Sequence, residues 1–153
     1  MVVRAGVEME GGSFGTDFTG SYTHQIDENA RSTIPAPLRK VLQKLGCNWA
    51  YMRIVDGCIR VLPPHIVASM AAAFGDDEFM DEERIAAARE AASKLVPFKF
   101  DRQGRFSIPD VIRAQVNFDK EVVFVSCFKV FEIWPRERWE KSGDGRLGNG
   151  EDR

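Results

Sequence analysis

The chain has 153 residues, of which 44% are hydrophobic and 29% charged. This composition predicts a folded globular protein and excludes a wholly disordered one, and the length suits one compact domain. The formal net charge of -2 argues against a polycation that coats nucleic acid or anionic membrane without specificity, but it does not exclude a local basic patch.

The sequence favours a reducing, cytoplasmic setting. Its N-terminal stretch contains acidic residues and lacks the apolar core of a signal peptide, and no run approaches the ~20 apolar residues that cross a bilayer. Cys47, Cys58 and Cys127 are widely spaced and form no C-x-x-C pair. Neither a disulfide framework nor a cysteine zinc site is therefore expected.

Five segments are predicted along the chain. Residues 1–17 form a flexible N-terminal extension and residues 142–153 a flexible tail, because both are rich in Gly and polar residues. Between them lie a first half (18–75), a connecting helix (76–96) and a second half (97–141). Each half has only roughly 45 to 55 residues, so we expect the two to share one core around a pseudo-two-fold axis.

The first half is predicted to combine strands with helices. Pro35 follows a short strand and opens a helix, because a proline at the first helical position loses no hydrogen bond. Asp56-Gly57 is a strong two-residue hairpin signal between two later strands. The predicted elements are an extended segment over 18–26, a helix with Leu38, Val41, Leu42 and Leu45 as its core stripe, strands over 51–55 and 59–62, and a helix over 65–74 with Ile66, Val67, Met70 and Phe74 on one face.

The rest of the chain is predicted to repeat this order after the connecting helix. Acidic residues open that helix, as suits a helix N-terminus. The second hairpin has Phe128-Lys129 where the first has Asp56-Gly57, so its turn is expected to differ. The predicted elements are the connecting helix with Ile85, Ala88, Ala92 and Leu95 as its core face, an extended segment over 96–100, strands over 122–125 and 130–134, and a helix over 136–141.

An internal repeat is the most informative feature of the sequence. The block 27–39 aligns with the block 101–113, 74 positions later, with Asp, Arg, Ile, Pro and the final Arg identical in register. A second matched pair, 59–63 and 131–135, lies 72 positions apart. A length change of two residues in the intervening loop explains the shift. The two halves are therefore predicted to be copies of one βαββ unit.

Basic charge is concentrated in the two repeat blocks. Six basic residues accompany three acidic ones over 22–65, and four accompany two over 97–118, whereas seven acids accompany three bases over 76–95. Each block has an Arg in its polar turn and another early in the following helix. Two related sets of this kind suit a DNA duplex, on which phosphates position a protein and Arg reaches base edges.

The paired Asp-x-x-x-Arg turns, each followed by a hydroxyl residue, Ile-Pro and a helix with Arg, resemble the MraZ family. These are transcriptional regulators of the AbrB-like (SpoVT-AbrB) superfamily, and the stretches 119–125 and 131–134 strengthen a resemblance that spans 18–141. It implies an α+β fold whose duplicated halves form a pseudo-two-fold, swapped-hairpin β-barrel with peripheral helices. It also implies a nucleoid-associated homo-oligomeric ring that binds direct repeats in the promoter of a division and cell-wall gene cluster.

The resemblance further implies which residues contact double-stranded DNA. Arg31 and Arg105 become the leading contacts, and Asp27 and Asp101 set their turns. Further contacts are expected from basic residues early in the helices and from polar residues in the turns, namely Arg39, Lys40, Arg113, Arg102, Asn29 and Gln103.

One departure from the family pattern lies in the first turn. The family usually has Gly just before the signature Arg, as in Gly104, but the first copy has Ala30. If that position needs a positive φ, Ala costs roughly 1 kcal/mol there. The first turn is therefore expected to have a different shape.

Other interpretations of the same residues stay open. Each Asp and Arg could simply pair to hold a turn, or Asp27 and Asp101 could meet as a carboxylate pair for acid–base chemistry or a metal, assisted by His24 or His65. The fold could also serve a non-DNA ring scaffold or an antitoxin-like interaction module. We expect no catalytic activity, no cofactor, no metal site, no membrane contact and no small-molecule substrate.

Overall fold

A computed structural model of the chain describes residues 15–75 and 81–143. Most of the predicted N-terminal extension and tail, and the start of the predicted connecting helix, lie outside these residues. The described elements are β1 (Ser21–Gln25), β2 (Arg31–Thr33), α1 (Ala36–Lys44), β3 (Trp49–Val55), β4 (Cys58–Leu62), α2 (Pro64–Ala73), α3 (Glu82–Ala92), β5 (Val96–Lys99), β6 (Arg105–Ser107), α4 (Asp110–Arg113), β7 (Glu121–Cys127), β8 (Val130–Pro135) and α5 (Arg136–Lys141).

Both halves have the same order of elements, ββαββα, and α3 lies between them. The prediction of a mixed α+β chain with strands and helices at these places is confirmed. In both halves the Ile-Pro step ends a short strand and a helix follows it directly, since Pro35 and Pro109 occupy the position before the first helical residue.

The two halves exchange strands in a six-stranded antiparallel sheet of order β1-β7-β8-β4-β3-β5. The leading strand of the first half, β1, pairs with β7 of the second half, and β5 of the second half pairs with β3 of the first. The two hairpins meet where β4 pairs with β8. No ladder among the described residues joins β1 to β5, so the closed barrel implied by the resemblance is not established by this pairing.

The register of two strand pairs locates the pseudo-two-fold axis. Ser32 is opposite Phe106, and these residues are equivalent in the repeat, 74 positions apart. Arg60 is opposite Glu132, which are equivalent in the second matched block, 72 positions apart. A residue pairs with its own equivalent only at a two-fold axis, so the axis passes through both pairs.

The core lies between the sheet and the helices α1 and α4. The predicted stripe of α1 is confirmed, since Leu38, Val41 and Leu42 are buried and Leu45 packs against the core from a partly buried position. Phe98, Phe106, Phe124 and Phe131 of the second half fill the centre in edge-to-face or tilted contacts, and Phe18 of the first half packs edge-to-face on Phe131. Both halves thus contribute to one shared core.

The predicted core face of the connecting helix is wrong. None of the residues of α3 is buried, and Ala92 of the predicted face is exposed. The predicted face of α2 is likewise only half-buried. The physical reason is that side chains of the sheet, α1 and α4 already fill the core, which leaves α2 and α3 on its periphery.

The two hairpin turns differ, as predicted. Asp56 and Gly57 both have positive φ, 50° and 82°, as a two-residue type I′ turn requires. In the second hairpin only Phe128 has a positive φ, 64°. Its backbone is held by hydrogen bonds with Phe18 in both directions.

Candidate nucleic-acid interface

The first signature turn (residues 27–31) is organised by one carboxylate. Asp27 Oδ1 accepts hydrogen bonds from the backbone N–H groups of Asn29 and Arg31, each at 2.9 Å. Asp27 Oδ2 accepts a third from Arg31 Nε at 2.9 Å. The backbone closes the turn as well, because Asp27 N donates to Arg31 O and Ala30 N donates to Asp27 O.

The second signature turn (residues 101–105) repeats every one of these bonds. Asp101 Oδ1 accepts from the N–H groups of Gln103 and Arg105, and Asp101 Oδ2 accepts from Arg105 Nε at 2.6 Å. Asp101 N and Gly104 N make the same backbone bonds as their equivalents. Both aspartates therefore make the hydrogen bonds expected of residues that set a turn.

The expectation that Ala30 changes the shape of the first turn is wrong. Ala30 has φ 59° and Gly104 has φ 84°, so both adopt the left-handed conformation. The physical reason is that a complete set of turn hydrogen bonds offsets the ~1 kcal/mol that a left-handed Ala costs. At Gly104 a Cβ would lie 3.0 Å from the backbone oxygen of Ile34, so the glycine also allows a close approach of the two chain segments.

Both turn carboxylates stay charged at neutral pH. The backbone N–H of Arg31 is the largest cause that holds the pKa of Asp27 below its ordinary value of 3.8. For Asp101 the largest cause is the side-chain hydrogen bond from Arg105, which lowers the pKa of that carboxyl in the same direction. Each carboxylate thus keeps its Arg side chain in place by a charge-assisted hydrogen bond.

The strands that follow the turns form a two-stranded antiparallel ribbon, which we call the signature ribbon (β2 and β6). Arg31 is opposite Ser107 and Thr33 is opposite Arg105. Because side chains alternate along a strand, these four polar side chains share the outer face. Ser32 and Phe106 are buried on the inner face. Arg31 and Arg105 are diagonal neighbours, about 7–8 Å apart by ordinary strand geometry.

The two signature arginines are held in place and solvent-accessible at the same time. The side chain of Arg31 is 61% exposed and that of Arg105 is 68% exposed. Among the described residues, the hydrogen bond from Nε to the turn carboxylate is the only one that each guanidinium makes. The terminal Nη groups can therefore donate to a ligand in a fixed direction.

The remaining predicted contacts divide into two groups. The side chains of Asn29, Lys40, Arg102 and Gln103 are exposed. Arg39 is half-buried and Arg113 is exposed, and both contact the opposite turn: Arg39 Nη1 donates to Gln103 O at 2.8 Å, and Arg113 Nη2 donates to Glu28 O. The structure thus brings the turns and both helix starts together at one edge of the molecule.

Some residues at this edge were not predicted. The groove along the signature ribbon is also lined by Gln25, Thr33 and Ser107. Thr33 and Ser107 are the hydroxyl residues before Ile-Pro, so the repeat contained a signal for them. Gln43, whose Nε2 donates to Arg102 O at 3.3 Å, had no recognisable signal in the sequence.

A metal or acid–base site at this edge has no geometric support. Each turn carboxylate already accepts three hydrogen bonds within its own turn. No group of three or more His, Cys, Asp or Glu side chains in the described part of the chain could hold a metal ion. His24, expected at a strand surface, is half-buried, with Nδ1 2.7 Å from Thr33 O and its ring against Phe124.

None of the helices in the described ranges is long and apolar enough to span a bilayer.

The comparisons with known proteins agree on one family name. The family model described as "MraZ protein, putative antitoxin-like" matches residues 94–144. "Transcriptional regulator MraZ" of Moorella thermoacetica is 35% identical over 124 residues, which are 81% of this chain and 85% of that protein. The proteins of the same name from Lachnoclostridium phytofermentans and Lactiplantibacillus plantarum are 33% and 31% identical, over 82% and 81% of this chain and 86% of each relative.

Proposed function

The chain belongs to the MraZ family, and from this premise we propose that it is a sequence-specific, DNA-binding transcriptional regulator and not an enzyme. The relatives are named as transcriptional regulators. A regulator of this kind acts where the chromosome is, so its proposed location is the cytoplasm, in association with the nucleoid.

The observation that carries the proposal is the signature ribbon with its two fixed arginines. The major groove of B-DNA is about 12 Å wide and admits a two-stranded β-ribbon. Arg31 and Arg105 lie close enough on the ribbon to enter one groove together. Their Nη groups have the geometry for a bidentate contact with guanine O6 and N7, while Lys40 and Arg102 are available for phosphates.

We further propose that the target consists of direct repeats in the promoter of a division and cell-wall gene cluster, as the family resemblance implies. A symmetric DNA-binding edge favours palindromic sites. Here the equivalent positions of the two turns carry Glu28 and Arg102, which have opposite charges. The edge is therefore directional, which supports binding to boxes repeated in one orientation.

We also propose a homo-oligomeric ring, because it would align several DNA-binding edges with repeated boxes and so raise the affinity. One protomer makes few DNA contacts, and several aligned edges on repeated boxes raise the effective concentration of each. Helix α2 supports this proposal, since its sequence is apolar apart from His65 and Ser69 but none of its residues is buried. Apolar surface that a single chain leaves only partly covered is typical of interaction sites.

The swapped-hairpin barrel belongs to the proposal as well. The signature ribbon contacts both β1 and β5, which are the two edge strands of the six-stranded sheet. Contacts at both edges support closure of the sheet by the ribbon at one end of the molecule.

The second candidate is an antitoxin-like interaction module, which the description of the matching family model favours. In that case a protein partner would occupy the same edge. This candidate predicts a stable protein complex and no salt-dependent affinity for DNA.

The test of the proposed function is a titration of a labelled duplex that covers the region upstream of the protein's own gene. A duplex of the same length and composition with a shuffled sequence is the control. We expect tighter binding to the natural duplex and a steep loss of affinity with salt, and mass measurement of the complex reports the number of protomers. Equal affinity for both duplexes would contradict sequence-specific binding.

Exchange of the charges at the turn tips tests the directional edge. In the double variant Glu28→Arg/Arg102→Glu the net charge is unchanged, so we expect similar affinity for the shuffled duplex. Affinity for the natural duplex should fall by about tenfold, because a displaced phosphate contact shifts the register in which the ribbon meets the bases, and one mismatched base pair costs about 1–3 kcal/mol. An unchanged preference for the natural duplex would show that these positions do not give the edge a direction.

A further inference from the structure

Each signature turn is held by an arginine from the other half of the molecule. Arg39, early in α1, donates from Nη1 to Gln103 O in the second turn at 2.8 Å. Arg113, at the end of the short helix α4, donates from Nη2 to Glu28 O in the first turn. Arg39 and Arg113 are equivalent in the repeat, and each donates to the opposite turn, although their acceptors differ by one position, since Gln103 is equivalent to Asn29 and not to Glu28.

Backbone hydrogen bonds run across the axis beside these two arginines. Ile34 N donates to Gly104 O at 2.8 Å, and Ile108 N donates to Ala30 O at 2.9 Å. In the second turn the adjacent carbonyl, Arg102 O, also accepts from Gln43 Nε2. The carbonyls just before each signature Arg therefore have donors from the opposite half, whereas the carboxylate inside each turn provides only bonds within that turn.

We propose that Arg39 and Arg113 are positioning residues that hold the opposite turn, and not residues that contact DNA themselves. This inference rests on the proposed DNA-binding function and changes the role that the family resemblance gave to both residues. Arg39 and Arg113 each use an Nη group to donate to a main-chain carbonyl of the opposite turn, whereas, among the residues that the structure describes, Arg31 and Arg105 use only Nε and keep both Nη groups unbonded at the exposed edge. The consequence is that each arginine that reads DNA is fixed by both halves.

The salt dependence of DNA binding distinguishes a positioning residue from a phosphate contact. Each phosphate contact that is lost reduces the slope of log K against log salt by about 1. For Arg39→Ala/Arg113→Ala we expect weaker binding to the upstream duplex with an unchanged slope. The control variant Lys40→Ala/Arg102→Ala removes two exposed charges at the same edge, and its slope should fall by about 2.

Hydrogen exchange of the free protein tests the same contacts without DNA. Arg39→Ala should raise the exchange rate of Gly104 N–H in the second turn by about tenfold and leave the first turn unchanged. Arg113→Ala should raise that of Ala30 N–H in the first turn and leave the second unchanged. General destabilisation would raise exchange in both turns, so a rise confined to the opposite turn excludes it in each variant.

The outcomes separate the two proposals. A salt slope reduced by about 2 in Arg39→Ala/Arg113→Ala, or exchange that does not rise in the opposite turn, overturns the positioning role. If the wild-type protein binds the natural and the shuffled duplex equally, the proposed function fails. The crosswise exchange pattern then still decides whether each arginine holds the opposite turn.

Discussion

Replacement of both Arg31 and Arg105 by alanine is expected to abolish the specific DNA complex while the protein stays folded. Both side chains are more than half exposed, and within the described ranges they form ion pairs only with their own turn carboxylates, so their loss leaves the core intact. A bidentate contact between Arg and a base is worth about 1–3 kcal/mol. Loss of two such contacts, about 2–6 kcal/mol together, should weaken binding to the upstream duplex by about 30-fold to 10⁴-fold, measured by fluorescence anisotropy.

Two matched variants separate base recognition from charge. Lys94→Ala/Lys129→Ala removes the same charge from residues that pair with Glu90 and Asp17, away from the signature ribbon, and should bind almost as wild type does. Arg31→Lys/Arg105→Lys keeps the charge at the ribbon but loses the planar fork, so it should retain affinity for the shuffled duplex and lose the preference for the natural one. Wild-type affinity in the alanine variant would exclude the ribbon as the contact surface.

The repeat made much of the fold predictable. Because Pro35 and Pro109 fix where a short strand ends and a helix begins, and Asp56-Gly57 fixes a hairpin turn, the order of elements follows from local chemistry. The repeat also predicted a pseudo-two-fold axis. It could not predict that β1 pairs with β7 of the other half, since either hairpin offers a leading strand the same backbone partners.

The local contacts of the candidate site could also be predicted from the sequence, whereas its long-range contacts could not. Asp27 and Arg31 are four residues apart, so their contact is local and could be inferred from the spacing alone. The partner of Arg39 is a backbone carbonyl 64 residues away, and no side-chain pattern marks a carbonyl as an acceptor. The local sequence pattern also could not predict that α3 is exposed, because an apolar periodicity indicates a face but does not say whether the core has room for it.

The largest expected effect on stability concerns the ion pair on the pseudo-two-fold axis. Glu132 Oε2 accepts from Arg60 Nε at 2.9 Å and from Arg60 Nη2 at 2.8 Å, and Oε1 accepts from Trp134 Nε1 at 3.0 Å. The Glu132 side chain is only 11% exposed, whereas that of Arg60 is 38% exposed. The pair lies where β4 meets β8, so it joins the two halves at the centre of the sheet.

Glu132→Ala is expected to lower the free energy of unfolding by about 2–4 kcal/mol, because it leaves Arg60 without its carboxylate. The unpaired Arg60 then lies directly opposite Arg53, a second positive charge, on the neighbouring strand. The partial exposure of Arg60 keeps the effect below that of a fully buried pair. Denaturant unfolding measures it. Glu140→Ala, which removes an exposed partner of Arg136, should cost less than about 1 kcal/mol.

A double replacement tests whether the cost comes from the stranded charge. Because a buried ion pair replaced by apolar residues is often neutral for stability, Arg60→Leu/Glu132→Leu should recover most of the free energy that Glu132→Ala loses. DNA binding by the recovered variant should match that of wild type, since the signature ribbon keeps all its contacts. If Glu132→Ala unfolds with the same free energy as wild type, the two halves are held together by apolar packing and strand pairing alone.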